Sequence, residues 1–147
     1  MALMRKICCT AVLLGVAAFV GCARDDSRLH GTWRSNREAT VAAAFKRDPR
    51  WTNAPPDRVE RFKEMFGQMT VTYSHNTAQV QFKKEAYSFK YRIVSRGAGY
   101  VVMRDDTQLD KDRDIRIRFE NGGATYWIDT GPLGNGLEER FDRLQAQ

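Results

Sequence analysis

Cysteine is nearly absent: Cys8, Cys9 and Cys22 are the only three, all within the first 22 residues. The chain beyond them can form no internal disulfide and has too few soft ligands for a structural zinc site. Histidine is equally scarce. His30 and His75 stand 45 residues apart with no i, i+4 partner and no ligand-spaced cysteine, so they read as a strand-end and a turn residue. There is no Gly-x-Ser-x-Gly elbow, and the glycine-rich stretch Gly131–Gly136 lacks the lysine of a phosphate loop. Asp110, Asp112 and Asp114 alternate as at the start of a calcium loop. Ile115 and Asn121 stand where the glycine and the closing glutamate belong, and Lys111 and Arg113 oppose a cation, so this is a solvated hairpin loop. Glu60, Glu64 and Glu85 lie in charged stretches, which leaves paired-carboxylate chemistry without a buried member. The expectation is a protein that is not an enzyme and holds neither cofactor nor metal. Long apolar runs are missing as well. The apolar segment Ile7 to Val20, which contains no charge, falls short of the roughly 20 residues a spanning helix needs.

That short stretch has another use. Arg5 and Lys6 precede it with no acid among the first six residues, and Gly21-Cys22 follows, which is the layout of a secretory signal. Phe19-Val20-Gly21-Cys22 resembles the lipobox of bacterial lipoproteins. The resemblance implies cleavage before Cys22, acyl chains on that cysteine, and attachment to a membrane of the bacterial cell envelope. Two or more acyl chains give a stable anchor where one is marginal. A plain secreted protein would keep one odd thiol at Cys22, and acylation removes that anomaly. Ala23 after the cysteine favours the outer membrane, facing the periplasm.

Removal of residues 1–21 leaves 126 residues, one domain by length and large enough to bury a core unaided. Arg5 and Lys6 go with the signal, so 24 basic residues become 22 against 18 acidic ones, a charge of +4. Lys83, Lys84, Lys90, Arg92, Arg116 and Arg118 fall on the polar side of the strands. Aromatics alternate to the opposite side, so the stacking platform that single-stranded nucleic acid requires is not there. These cations read as a solvated face, with anionic headgroups as the sharper alternative.

Residues 22–28 (CARDDSR) make a charged tether, and residues 29–147 the domain. Leu29 to Trp33 is a short strand. Ser35 with Glu38 forms a capping box for a helix through Phe45 that Asp48-Pro49 stops. Pro56 starts a second helix, about Asp57 to Phe66, with Val59, Phe62, Met65 and Phe66 on one stripe. From Gln68 the period becomes two: Met69–Tyr73, Val80–Phe82, Tyr87–Ile93, Tyr100–Met103, Ile115–Phe119 and Ala124–Ile128 alternate, separated by turns at His75-Asn76, Arg96–Gly99 and Asn121–Gly123. Leu137 to Leu144 is a last strand or short helix. The fold class is mainly β, an antiparallel meander.

Gly31-x-Trp33 at the first strand, the meander, and the terminal Arg140-Phe141-Asp142-Arg143 are similar to short bacterial lipocalin-like domains. The resemblance implies a small closed barrel, here with two helices inserted after the first strand. It also implies that Trp33 plugs the closed end and that Arg140 or Arg143 packs across it, a cation–π contact of roughly 0.5–2 kcal/mol. The alternative is an α+β open antiparallel sheet covered by the two helices. The aromatic set is first a core, but it is rich in tyrosine, whose hydroxyls need partners when buried. Tyr73, Tyr87, Phe89, Tyr91 and Tyr126 are therefore the candidates for a partly polar pocket taking a small hydrophobic or amphipathic ligand. The competing expectation is an envelope module that docks on another protein through the helices or the glycine-rich loop.

Overall fold

The computed structural model describes residues 25–107, 114–129 and 137–145. Cys22, the signal segment and the Gly131–Gly136 loop lie outside the described residues, as does most of the Asp110–Asp114 loop.

Eight strands form one closed antiparallel barrel in sequence order: β1 (Gly31–Ser35), β2 (Met69–Ser74), β3 (Thr77–Phe82), β4 (Glu85–Gly97), β5 (Tyr100–Asp105), β6 (Asp114–Glu120), β7 (Thr125–Asp129) and β8 (Glu138–Arg143). Closure comes from β1 pairing with β8, Trp33 opposite Arg143 and Ser35 opposite Phe141. The open-sheet alternative is thereby excluded, because no strand edge is left unpaired. The terminal segment is a strand, not a helix, and two helices stand between β1 and β2: α1 (Arg37–Arg47) and α2 (Pro56–Glu64), with a 3-10 turn at Pro49–Asn53 between them.

The period-two pattern turns into an inside and an outside. Leu29, Trp33, Val71, Tyr73, Ala78, Val80, Tyr91, Val101, Met103, Ile117, Tyr126 and Phe141 pack into one buried cluster. An eight-stranded barrel is just wide enough for side chains to fill, and aromatic rings fill this one. Tyr126 lies 4.5 Å from Trp33 and stacks on Phe141 at 5.0 Å, while Tyr73 meets Tyr91 edge-on at 5.7 Å. Trp127 is the exception to the pattern. It points outward yet is only 9% exposed, its indole N–H donating to Glu120 at 2.9 Å and its ring under the Arg118 guanidinium.

The expected capping box is not used. Asn36 caps α1, its side chain accepting from the Ala39 amide at 2.9 Å. Ser35 is the last residue of β1 and faces inward there, so its hydroxyl is committed to the barrel. α1 takes over the hydrogen-bond ladder where β1 ends: the Asn36 amide donates to the Arg140 carbonyl at 2.8 Å, and the Arg140 amide donates to Thr40 Oγ1 at 3.0 Å. The helices carry a second, smaller core of Val41, Ala44, Phe62 and Phe66, flanked by Phe45, Trp51 and Leu137. Gly67, at φ +80°, closes this unit. A Cβ there would sit 2.8 Å from Arg37 Cβ, so only glycine allows α1 and the end of α2 to approach.

Candidate functional site

The two ends of the barrel differ. At one end lie the start of β1, the β2–β3 turn at His75-Asn76, the β4–β5 turn at Ala98-Gly99 and the β6–β7 turn at Asn121–Ala124. This end is stoppered by residues 25–30. Residues 25–28, read as tether, are seated on the barrel instead. Arg28 is the reason: its guanidinium donates to both carboxylate oxygens of Asp26 (2.9 and 2.8 Å) and to the carbonyls of Gly97 (2.8 Å), Ala98 (2.8 Å) and Tyr100 (3.3 Å). The Arg28 guanidinium bonded to its carboxylate holds Asp26 below its usual range. Leu29, fully buried, is thereby pressed into the barrel, and its carbonyl accepts from the Trp33 indole at 2.7 Å.

Of the two arginines expected near Trp33, Arg143 lies over the ring, 4.5 Å from its centroid, and donates to the Arg28 carbonyl at 2.5 Å. Arg140 does not. It alternates to the outer face, opposite Trp127, and donates to Asp142 at 2.8 Å. A cleft of about 560 Å³ opens beside this plug, between Ser27, Arg28, Phe119, the Gly122-Gly123 turn and Arg143. Tyr91 belongs to this end too, its hydroxyl donating to the His75 carbonyl at 2.6 Å. His30 and His75, far apart in sequence, have rings 6.1 Å apart here, and His30 is 2.7 Å from Asp25. Among the described residues no group of three or more His, Cys, Asp or Glu is placed to hold a metal.

The opposite end is reached by the C-terminal ends of β1 and β3 and the start of β4, and there α1 leaves β1 and α2 returns to β2; its exposed aromatic rim is termed the mouth. The register places Tyr87 opposite Val80 and Phe89 opposite Ala78, so both share the inward face with the core. Tyr87 is nevertheless 55% exposed, and Met69, Phe89, Ile115 and Ile128 are partly exposed around it. Below them sit three polar groups. Burial pushes the Tyr73 hydroxyl up to about 12, with Tyr87 adding to the effect. Burial likewise pushes Tyr126 well above its ordinary value; its hydroxyl interacts with that of Tyr73 but makes no hydrogen bond of normal geometry among the described residues. Glu139, inward-facing on β8, is raised by burial and accepts from the Ser35 hydroxyl, which in turn accepts from the Gly67 amide at 2.8 Å.

The five aromatic candidates do not converge on one cavity. Tyr73 and Tyr126 belong to the packed interior beneath the mouth, Tyr91 is tied to the plugged end, and Tyr87 and Phe89 stand at the rim. Glu139 and Ser35 were missed. A glutamate in a charged segment and a serine before a helix signal surface and cap, and only the β1–β8 pairing turns both inward. Among the basic strand residues, Arg92 pairs with Asp106 and Arg118 with Glu120 and Glu138, while Arg116 lies over Tyr100. Among the described residues no helix is long and apolar enough to cross a membrane. No protein-family model matches the chain, and no curated protein matches it.

Proposed function

We propose that this is a non-enzymatic bacterial lipoprotein, held on the envelope by acyl chains on Cys22, whose barrel takes a small hydrophobic or amphipathic ligand at its mouth. One observation carries the ligand reading: the barrel is stoppered at one end, while at the other an inward-facing aromatic, Tyr87, stays 55% exposed above the buried Tyr73 and Tyr126 hydroxyls. An apolar rim with a few polar groups at its base is the chemistry that holds an amphipathic molecule in one orientation. The Phe19–Cys22 motif and the loss of every other cysteine on cleavage support the anchor.

Two measurements test this. A fluorescent fatty acid should bind saturably, and Tyr87→Ala should weaken that binding while the fold persists. Absence of saturable binding, together with native mass spectra free of co-purified lipid, would sink the ligand reading. For the anchor, Cys22→Ser should abolish acylation and release the domain in soluble form. Docking on an envelope protein is the second reading, supported by Met65, 63% exposed at the end of α2. Envelope crosslinking from position 65 that captures no specific partner would remove it.

A further inference from the structure

We propose that the stoppered end of the barrel is the surface that lies on the membrane, so that the mouth opens away from the bilayer. The proposal rests on acylation of Cys22.

Asp25 is fixed to the stoppered end: its side chain lies 2.7 Å from the His30 ring nitrogen and accepts the Asp26 amide at 2.8 Å. Asp26 is buried there against Arg28, whose guanidinium bridges to three carbonyls of the β4–β5 turn region. Only Ala23 and Arg24 separate Asp25 from Cys22. Three residue steps span at most about 11 Å whatever path they take. A six-residue strand is roughly 20 Å long. An acylated Cys22 therefore reaches the rim of the stoppered end but not the mouth.

The chemistry of that end suits a phosphate-rich surface. Its acids are already engaged: Asp25 by His30, Asp26 by Arg28, and Glu120 by Trp127 and Arg118. Arg96 and Arg143 are exposed residues of this end, and in sequence Arg24 adds a further cation two positions after Cys22. Leu144, 38% exposed, follows Arg143 on the same end. Cations beside an apolar side chain, next to a lipid anchor, match the charge of anionic headgroups. The consequence for the ligand is that it enters from the aqueous side rather than sideways from the anchoring bilayer.

The test uses the full chain, acylated in a bacterial host and reconstituted in vesicles of phosphatidylethanolamine and phosphatidylglycerol that carry a headgroup-linked quencher. Acylation blocks Cys22, so one introduced cysteine is the only reactive thiol. Asn76→Cys marks the exposed β2–β3 turn at the stoppered end, and Lys84→Cys the exposed β3–β4 turn at the mouth. A fluorophore at position 76 should be quenched severalfold more than one at 84. Equal quenching, as for a barrel lying on its side, or stronger quenching at 84 overturns the orientation. The mass of the N-terminal peptide separates the two claims. If Cys22 is acylated but the contrast is absent, the orientation fails and the anchor stands. If Cys22 is unmodified and the chain does not sediment with vesicles, the anchor fails and the orientation goes with it.

Discussion

The two ends of this barrel treat polar groups in opposite ways. At the stoppered end every donor of Arg28 finds a carbonyl or carboxylate, the Trp33 indole finds a carbonyl, and Arg143 covers the ring. Beneath the mouth, Tyr126 keeps a buried hydroxyl that makes no hydrogen bond of normal geometry among the described residues, and Glu139 is held in a setting that favours its neutral form. Fully satisfied polar networks rigidify, whereas unsatisfied buried groups cost stability and are retained where something else uses them. The difference teaches that the plug is built for stability and the mouth for something stability alone does not explain.

The contrast can be broken at four places. Trp33→Ala should have the largest effect, about 3–5 kcal/mol lost in urea unfolding, because it empties the ring that Leu29, Tyr126 and Arg143 pack against. A loss below about 1 kcal/mol would mean that the plug does not hold the barrel together. Arg28→Ala comes next, at about 2 kcal/mol, since it strands the buried Asp26 carboxylate. It should also change the acid limb. A carboxyl whose folded pKa is depressed contributes stability above its unfolded value and loses it as pH falls through the folded one. The wild type should therefore lose stability on acidification through and below the ordinary carboxylate range, and the variant should lose less there.

The mouth should respond with the opposite sign. Glu139→Gln keeps an acceptor for Ser35 but removes the charge that burial disfavours, and should stabilise the fold at pH 7. Glu139 is raised in the folded state, so between the unfolded and folded values the folded chain binds more protons and stability falls as pH rises. The gain should vanish in acid, which thermal melts across pH can check. Tyr126→Phe is the smallest, a gain of about 0.5 kcal/mol from removing a buried hydroxyl that makes no hydrogen bond of normal geometry. Both changes should weaken fatty-acid binding despite the added stability. If they leave binding untouched, the polar groups beneath the mouth serve no ligand.

Much of the strand content was legible because one-sided burial imposes a period of two on every segment it touches. Met69–Ser74 matched its reading, and β4 through β7 ran in the expected order. β4 ran longer than expected because its bulge after Ile93 carries pairing through Gly97, past the point where the apolar alternation stops. The cap was misread because Ser35-Asn36-Arg37-Glu38 offers two capping residues in a row, and pairing with β8 decides between them. Parity alone puts Trp127 on the outer face, yet Arg118 and Glu120 cover it, and such outer-face neighbours come from other strands.

By itself the sequence determined the alternation that makes strands, the two proline-bounded helices and the confinement of cysteine to the first 22 residues, since each depends on residues close together in the chain. Only the tertiary structure decided that β1 meets β8, that Arg143 rather than Arg140 covers Trp33, that residues 25–28 are plug rather than tether, and that Ser35 and Glu139 face each other beneath the mouth. The physical reason is shared. Each of these is a contact across a closed ring, between residues tens to more than a hundred positions apart, and side-chain parity says which way a residue points but not what it will meet when the sheet closes.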